Sequence, residues 1–201
     1  MENKSEDTEK YMEKYEWSKV WLDEPSENGK RALLVGDSIL DGYGGYVKSI
    51  VGSAIYIDTY ATSRAICQTN YLKELKYILS NGNYNIVHFN NGLHGWHMDI
   101  GLYESSYEAV IHMILADKNV HRLILALSTP LTGSEKFIQR NEIVKERNKA
   151  VKKLAEKYKL EVNDLYAVVD GIDEIRNPDG AHYLPKGAEL LGTQVAKLLK
   201  R

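Results

Sequence analysis

This 201-residue sequence predicts an α/β fold, a three-layer α/β/α sandwich in which a parallel sheet carries helices on both faces. Two observations carry the prediction: short apolar runs alternate with segments of helical spacing, and a clear amphipathic helix closes the chain. The length suits one good-sized core, so a single domain is expected.

Taken in order, residues 1–10 are charged and poor in apolar side chains, and no packed structure is expected of them. Trp17 and Trp21 stand four apart, with Tyr11 and Val20 nearby, which predicts a short helix packed on the domain surface, a dimer contact being the alternative. Pro25 and Gly29 break that pattern, so 1–30 reads as a partly helical extension and 31–201 as the domain. Strands are expected at 32–35, 55–57, 86–89, 123–127 and, more weakly, 160–162. Helices are expected at 71–79, 107–115 and 142–158, the charged stretch 145–159 forming a solvated face. The last helix starts at Pro185, which suits a first turn, and Ala188, Leu191, Val195 and Leu198 then recur at three and four.

Charge and composition exclude several functions. The formal charge is −2 and no segment interleaves basic with aromatic residues, so nucleic acid is not an expected partner. The single Cys67 rules out an intrachain disulfide and a C-x-x-C motif, and reads as a small buried hydrophobe. The sequence shows neither a secretory leader nor an apolar stretch near the roughly 20 residues that cross a bilayer, so no membrane partner and a cytoplasmic location are expected, unless a leader was removed.

The segment LLVGDSILDGYGG, 33–45, ends an apolar run in Gly36-Asp37-Ser38. Such residues suit any turn, so the tripeptide alone is weak. The spacings of a phosphate-binding loop, a dinucleotide loop and a G-x-S-x-G elbow are all absent. What remains is a serine between a strand and a helix, where its own N–H stands at the positive helix end and can stabilise an oxyanion. A serine nucleophile needs a base. In NPDGAHYLPKG, 177–187, Asp179 precedes His182 by three positions, a spacing that lets a carboxylate fix an imidazole's tautomer, though chance pairs of this kind are common in polar loops.

Together, GDS after the first strand, a mid-chain glycine-rich block and D-x-x-H before an amphipathic last helix resemble the SGNH hydrolases, or GDSL esterase/lipase family, over residues 31–201. The resemblance implies a five-stranded parallel sheet in the flavodoxin-like order 2-1-3-4-5. It also implies Ser38 as nucleophile, His182 as base and Asp179 as its orienting partner, with Ser38, Arg64, His94 and Asn91 as oxyanion-hole candidates. The middle blocks depart from the family pattern. ATSRAI, 61–66, has Arg64 where a glycine is usual, and HFNNGLHGW, 88–96, puts His94 where an asparagine is usual, Asn91 being the alternative donor. The H-F-N-x-G-L-H block resembles that of one branch of the family.

The resemblance therefore implies a serine esterase acting on short acyl esters, acetyl groups on carbohydrates being the special case, without cofactor or metal. A lipase, phospholipase or thioesterase on longer chains is the alternative, as is a silent ligand-binding protein of the same fold. Asp37, Tyr43 and Trp96 are candidates for substrate contact. His94-x-x-His97, with His88 and Asp99 nearby, has a spacing that metal sites use; His88 is instead expected inside a strand and His97 at the pocket or surface.

Overall fold

The computed structural model describes residues 11–23 and 29–201. The expectation for 1–10, and the break at Pro25, lie outside these residues. Strand β2 (Lys30–Gly36) is buried from Ala32 onward because both of its faces are covered. Its side chains alternate across the sheet. Leu33 and Val35 enter a core with Val87, Phe89, Leu123 and Leu125. Ala32 and Leu34 enter a second core with Ile86, Ile124 and Ala126 on the opposite face.

Helices α1 (Ser38–Val51) and α6 (Pro185–Leu199) cover the second face. Helices α2 (Thr69–Gly82), α3 (Ile100–Leu115) and α4 (Glu135–Tyr158) fill the first, and α2 presents Tyr71, Leu75, Ile78 and Leu79 at helical spacing. Strands β3 (Ile55–Thr62), β4 (Ile86–Phe89), β5 (Arg122–Ala126) and β6 (Glu161–Asn163) complete the parallel sheet, and the short α5 (Leu165–Val169) follows. None of the described helices is long and apolar enough to cross a membrane.

With an edge strand β1 (Ser18–Trp21) the sheet order is β1-β3-β2-β4-β5-β6. Its five parallel strands, counted along the chain, run 2-1-3-4-5 as expected, but a sixth strand joins them. The segment expected to be helical is β1 (Ser18–Trp21), antiparallel to β3 with Ser18 opposite Thr62 and Trp21 opposite Thr59. The four-residue spacing of the tryptophans misled because neither is a packing residue: Trp21 is 62 % exposed and Trp17 is also exposed. Backbone bonding decides instead. Trp17 N–H donates to Ser63 Oγ (3.0 Å), and Trp17 O accepts from Thr62 Oγ1 (2.8 Å) and Ser63 N–H (3.1 Å). The free edge of β3 takes up the segment.

Strand β3 also outruns the apolar run 55–57, because a buried charge lies inside it. Asp58 is fully buried, held by Arg31 Nε (3.0 Å) and Nη2 (2.9 Å), Tyr84 Oη (2.7 Å) and the N–H of Asp23 (2.8 Å). A fully bonded carboxylate is tolerable in a core. Through Asp23 it anchors the chain that leaves β1.

Candidate active site

Strand β2 delivers the chain to the carboxyl edge of the sheet, where α1 begins at once. Asp37 caps that helix, its carboxylate accepting from Ile39 N–H at 2.9 Å. Ser38 is the first helical residue, and its N–H belongs to the turn without intrahelical acceptors. Ser38 Oγ lies 2.8 Å from His182 Nε2, and His182 Nδ1 lies 2.7 Å from Asp179 Oδ2. The fold thus closes a relay of three side chains across 144 residues.

Asp179 serves twice. Its Oδ1 accepts the backbone N–H groups of Ala181 (2.8 Å) and His182 (2.9 Å), leaving Oδ2 for the imidazole. Partial burial works against its charge, but those N–H donors and His182 outweigh it and hold the carboxyl below its usual range. The loop carrying both residues is itself fastened. Arg176 and Tyr183 form a β-bridge, flanked by Asn177 N–H to His182 O (2.9 Å) and Leu184 N–H to Ile175 O (2.9 Å). Arg176 Nη1 donates to Pro130 O at 2.9 Å. Gly180 sits at φ +80° where a Cβ would stand 2.1 Å from Thr132 O, so only glycine allows the loop to dock there.

Across from this loop, the chain after β4 is held from below. Arg147 of α4 is 1 % exposed and donates to the carbonyls of Gly92 (3.0 Å), His94 (2.7 Å) and Gly95 (2.7 Å). Gly95 has φ +64°, and a Cβ on it would stand 2.6 Å from that of Ala65. The loop therefore presses against the segment after β3. His94 Nδ1 lies 2.9 Å from Glu13 Oε1, in the stretch preceding β1. The hydrogen bond from His94 is the main reason that the Glu13 carboxyl lies below its usual range; burial opposes it, while Arg140 and Lys136 assist.

The other candidates fall in different places. Asn91 is buried and its amide donates to Arg64 O at 3.0 Å. Arg64 N–H donates to Thr62 Oγ1 at 3.2 Å, and its guanidinium turns away to Glu16 and Glu74. Trp96 stays half-buried, with the Arg140 guanidinium 4.5 Å above its ring.

Two substrate-contact expectations are corrected. Tyr43 lies on the buried face of α1 with Ile39, Leu40 and Val47, and cannot reach a ligand in the crevice. Asp37 is a buried cap: desolvation pushes its carboxyl up, against the pull of His94, the Ile39 N–H and His182. The solvated face expected at 145–159 is present in its lysines and glutamates, all exposed, but Arg147 and Asn148 depart from it and point inward, the latter bonded to Ser128 N–H and O at 2.9 Å each.

His88 lies within β4, fully buried against Asn163 (3.0 Å), and burial pulls it down to about 4. His97 is exposed and Asp99 caps α3. Among the described residues no three His, Cys, Asp or Glu side chains gather as a metal site would require.

Two residues at this site, Glu13 and Arg147, have no motif to announce them. For Arg147 a signal does exist: Val144, Arg147, Val151 and Leu154 recur at helical spacing, which puts the arginine on the apolar face of α4. For Glu13 there is none, because its partner is 81 residues away.

No protein-family model matches the sequence, and no curated protein matches it. Solved structures do. A member of the lipolytic G-D-S-L family from Veillonella parvula superposes with a TM-score of 0.69 at 16 % identity, covering 86 % of this chain and 100 % of that one. An acetylxylan esterase from Geobacillus stearothermophilus gives 0.67 at 16 % identity, covering 84 % and 93 %. A lipase/acylhydrolase from Enterococcus faecalis gives 0.67 at 22 % identity, covering 85 % and 95 %. With its parallel sheet in the order 2-1-3-4-5 and a serine, a histidine and an aspartate meeting at the carboxyl edge, the chain has the fold of the SGNH hydrolases.

Proposed function

We propose that this chain is a serine esterase that hydrolyses short acyl esters, with acetyl groups on carbohydrates as its special case. The observation that carries the proposal is the unbroken relay from Ser38 Oγ through His182 to Asp179. An Asp179 carboxylate facing Nδ1 keeps the proton on that nitrogen, so Nε2 is free to accept the Ser38 proton. Ser38 Oγ then attacks the ester carbonyl carbon. The C=O π pair moves to oxygen, and the oxyanion meets Ser38 N–H at the start of α1. His94 is the further donor, while the Arg64 N–H, committed to Thr62 Oγ1, and the Asn91 amide, committed to Arg64 O, support the loops.

Collapse of the tetrahedral species expels the alkoxide, which takes the proton from His182, and leaves an acyl group on Ser38. Water, deprotonated by the same imidazole, attacks that acyl carbon; as the acyl–Oγ bond breaks, Ser38 Oγ takes the proton back from His182 and the acid is released. This chemistry needs neither metal nor organic cofactor.

Two things support a short acyl group. The His182 and Asp179 side chains are each 45 % exposed, which fits an open crevice at the surface of a bulky substrate better than a tunnel for a long chain. One structure of the same fold is an acetylxylan esterase. The test is the initial rate on p-nitrophenyl acetate, butyrate and octanoate for the wild type and Ser38→Ala. The expected result is fastest turnover of acetate, with the variant lower by on the order of 10⁶-fold. Equal rates for the two proteins would remove the serine mechanism, and a preference for octanoate would move the substrate to longer acyl chains.

A further inference from the structure

We propose that the outer edge of β1 pairs antiparallel with β1 of a second copy of this chain, joining two chains in one continuous sheet about a two-fold axis at Val20. Strand β1 ends the sheet, and among the described residues no strand lies beyond it. All four of its residues are exposed. An open strand edge offers unpaired N–H and C=O groups to another strand.

The ladder with β3 shows which groups those are. Trp17 O accepts from Ser63 N–H at 3.1 Å, so Trp17 bonds inward. In an antiparallel ladder inward bonding recurs at every second residue. Lys19 and Trp21, opposite Ala61 and Thr59, therefore bond to β3, while Ser18 and Val20 turn their N–H and C=O outward. Ser18 Oγ meets Thr62 Oγ1 at 2.9 Å, the close side-chain approach of a pair that shares no backbone bonds.

Two antiparallel copies related by an axis normal to the sheet keep the same faces together, so residues that stand opposite must project on the same side. An axis at Lys19 would set two lysines against each other, a destabilising pair. An axis at Trp21 would carry Ser18 well past the end of the other strand. An axis at Val20 sets Val20 against Val20, Ser18 against Leu22 and Lys19 against Trp21. Outward-bonding Val20 then meets its own equivalent, and the one charge of β1 lies beside an aromatic ring. Lysine often guards a strand edge against pairing. Here Lys19 Nζ is held by Asp41 at 2.6 Å and lies 5.6 Å from the centre of the Trp21 ring, so its charge is already met within its own chain.

The surface beside the edge is apolar on both faces. Val20 is 45 % exposed, Leu22 62 % and Tyr77 72 %. A groove of about 340 Å³ between β1 and α2 is lined by Val20, Leu22 and Tyr77, and one of about 410 Å³ between β1 and α1 by Trp21, Leu22 and Leu40. With Trp17 and Trp21, the exposed side chains leave roughly 600 Å² open on one copy, the low end of what each side contributes to a specific interface. A patch of that extent marks an interaction site.

Sedimentation equilibrium on the full chain tests the pairing for the wild type, Val20→Pro, Val20→Lys, Val20→Glu and an equimolar mixture of the last two. The wild type should reach twice the 22.9 kDa of one chain, with half-dissociation in the micromolar range. Val20→Pro deletes an outward N–H and leaves the bonds to β3 in place, so it should sediment as one chain. Val20→Lys and Val20→Glu should each do the same, because like charges then meet on the axis, and their mixture should regain the double mass. Far-UV circular dichroism checks that each variant folds; if Val20→Pro does not, the two charge variants at this exposed position carry the test.

A wild type that stays at the mass of one chain up to about 100 µM overturns the proposal, since an interface of this size would be occupied there. A double mass that survives Val20→Lys places the contact elsewhere and overturns it too, as does a mixture that fails to regain the double mass. None of these readouts depends on ester hydrolysis.

Discussion

Two imidazole-carboxylate pairs stand at this site, and they are assembled in opposite ways. Asp179 and His182 are three residues apart, half-exposed, and carried by one loop whose turn bonds hold the carboxylate in place. Glu13 and His94 are 81 residues apart, and they meet only because an edge strand adds to β3 and an arginine from α4 props the facing loop. The first pair is local chemistry in a turn; the second is a product of the whole sheet. A function that uses both has one half encoded in a short motif and the other in the topology.

The largest effect should come from breaking the local pair while keeping its shape. Asp179→Asn removes the charge that stabilises the His182 imidazolium and presents an amide that selects the wrong tautomer, so kcat should fall by about 10⁴-fold. Stopped-flow or burst kinetics on p-nitrophenyl acetate measures it, and a loss below tenfold would show that Asp179 does not orient His182.

Next in size is an effect confined to the topological pair. Arg147→Lys keeps a charge but cannot reach three carbonyls with one fork, leaving buried C=O groups unbonded. A cost of about 2 kcal/mol is expected, lowering the melting temperature by roughly 4–8 °C. Calorimetry reads it. The same variant should also lower kcat, because the three carbonyls it frees belong to the loop that carries His94.

The smallest effect is acid sensitivity. The Glu13 carboxyl lies below its ordinary 4.5 in the folded protein, so its contribution to stability is present above that value and is lost as pH falls through the depressed folded value. Partial exposure keeps the contribution small. Glu13→Gln should therefore melt lower than the wild type near neutrality, by no more than about 2 °C, and the gap should close in acid. A gap that stays constant with pH would mean that the ionised carboxylate adds nothing.

The same contrast governs what the sequence discloses. Strand β2, the helix beginning at Pro185 and the pairing of Asp179 with His182 follow from patterns a few residues long, where propensity, capping and turn chemistry agree with the fold; the approach of His182 to Ser38, 144 residues away, is implied only by the family resemblance. The reading of β1 as a helix failed because four residues of edge strand owe their state to the open side of β3. Nearness in sequence to Ser38 says nothing of helix phase: the five residues to Tyr43 leave it rotated by about 140° around α1, on the core side rather than the crevice side. Arg147 reads by composition as one more charge on a solvated helix, though its spacing from Val144 and Val151 marks the buried face. Glu13 has no local sign at all.

The edge strand also sets an order of events in time. The stretch with Glu13 is synthesised before the strand that receives it, yet it cannot dock until β3, ending at Thr62, has paired with β2, and His94 is synthesised later still. A segment made before its partners must thus wait for them to find its place. A nascent chain can complete Ser38 and its helix while the segment that finishes the opposite wall waits, closing a loop whose entropy cost is met only when the sheet beneath it already stands.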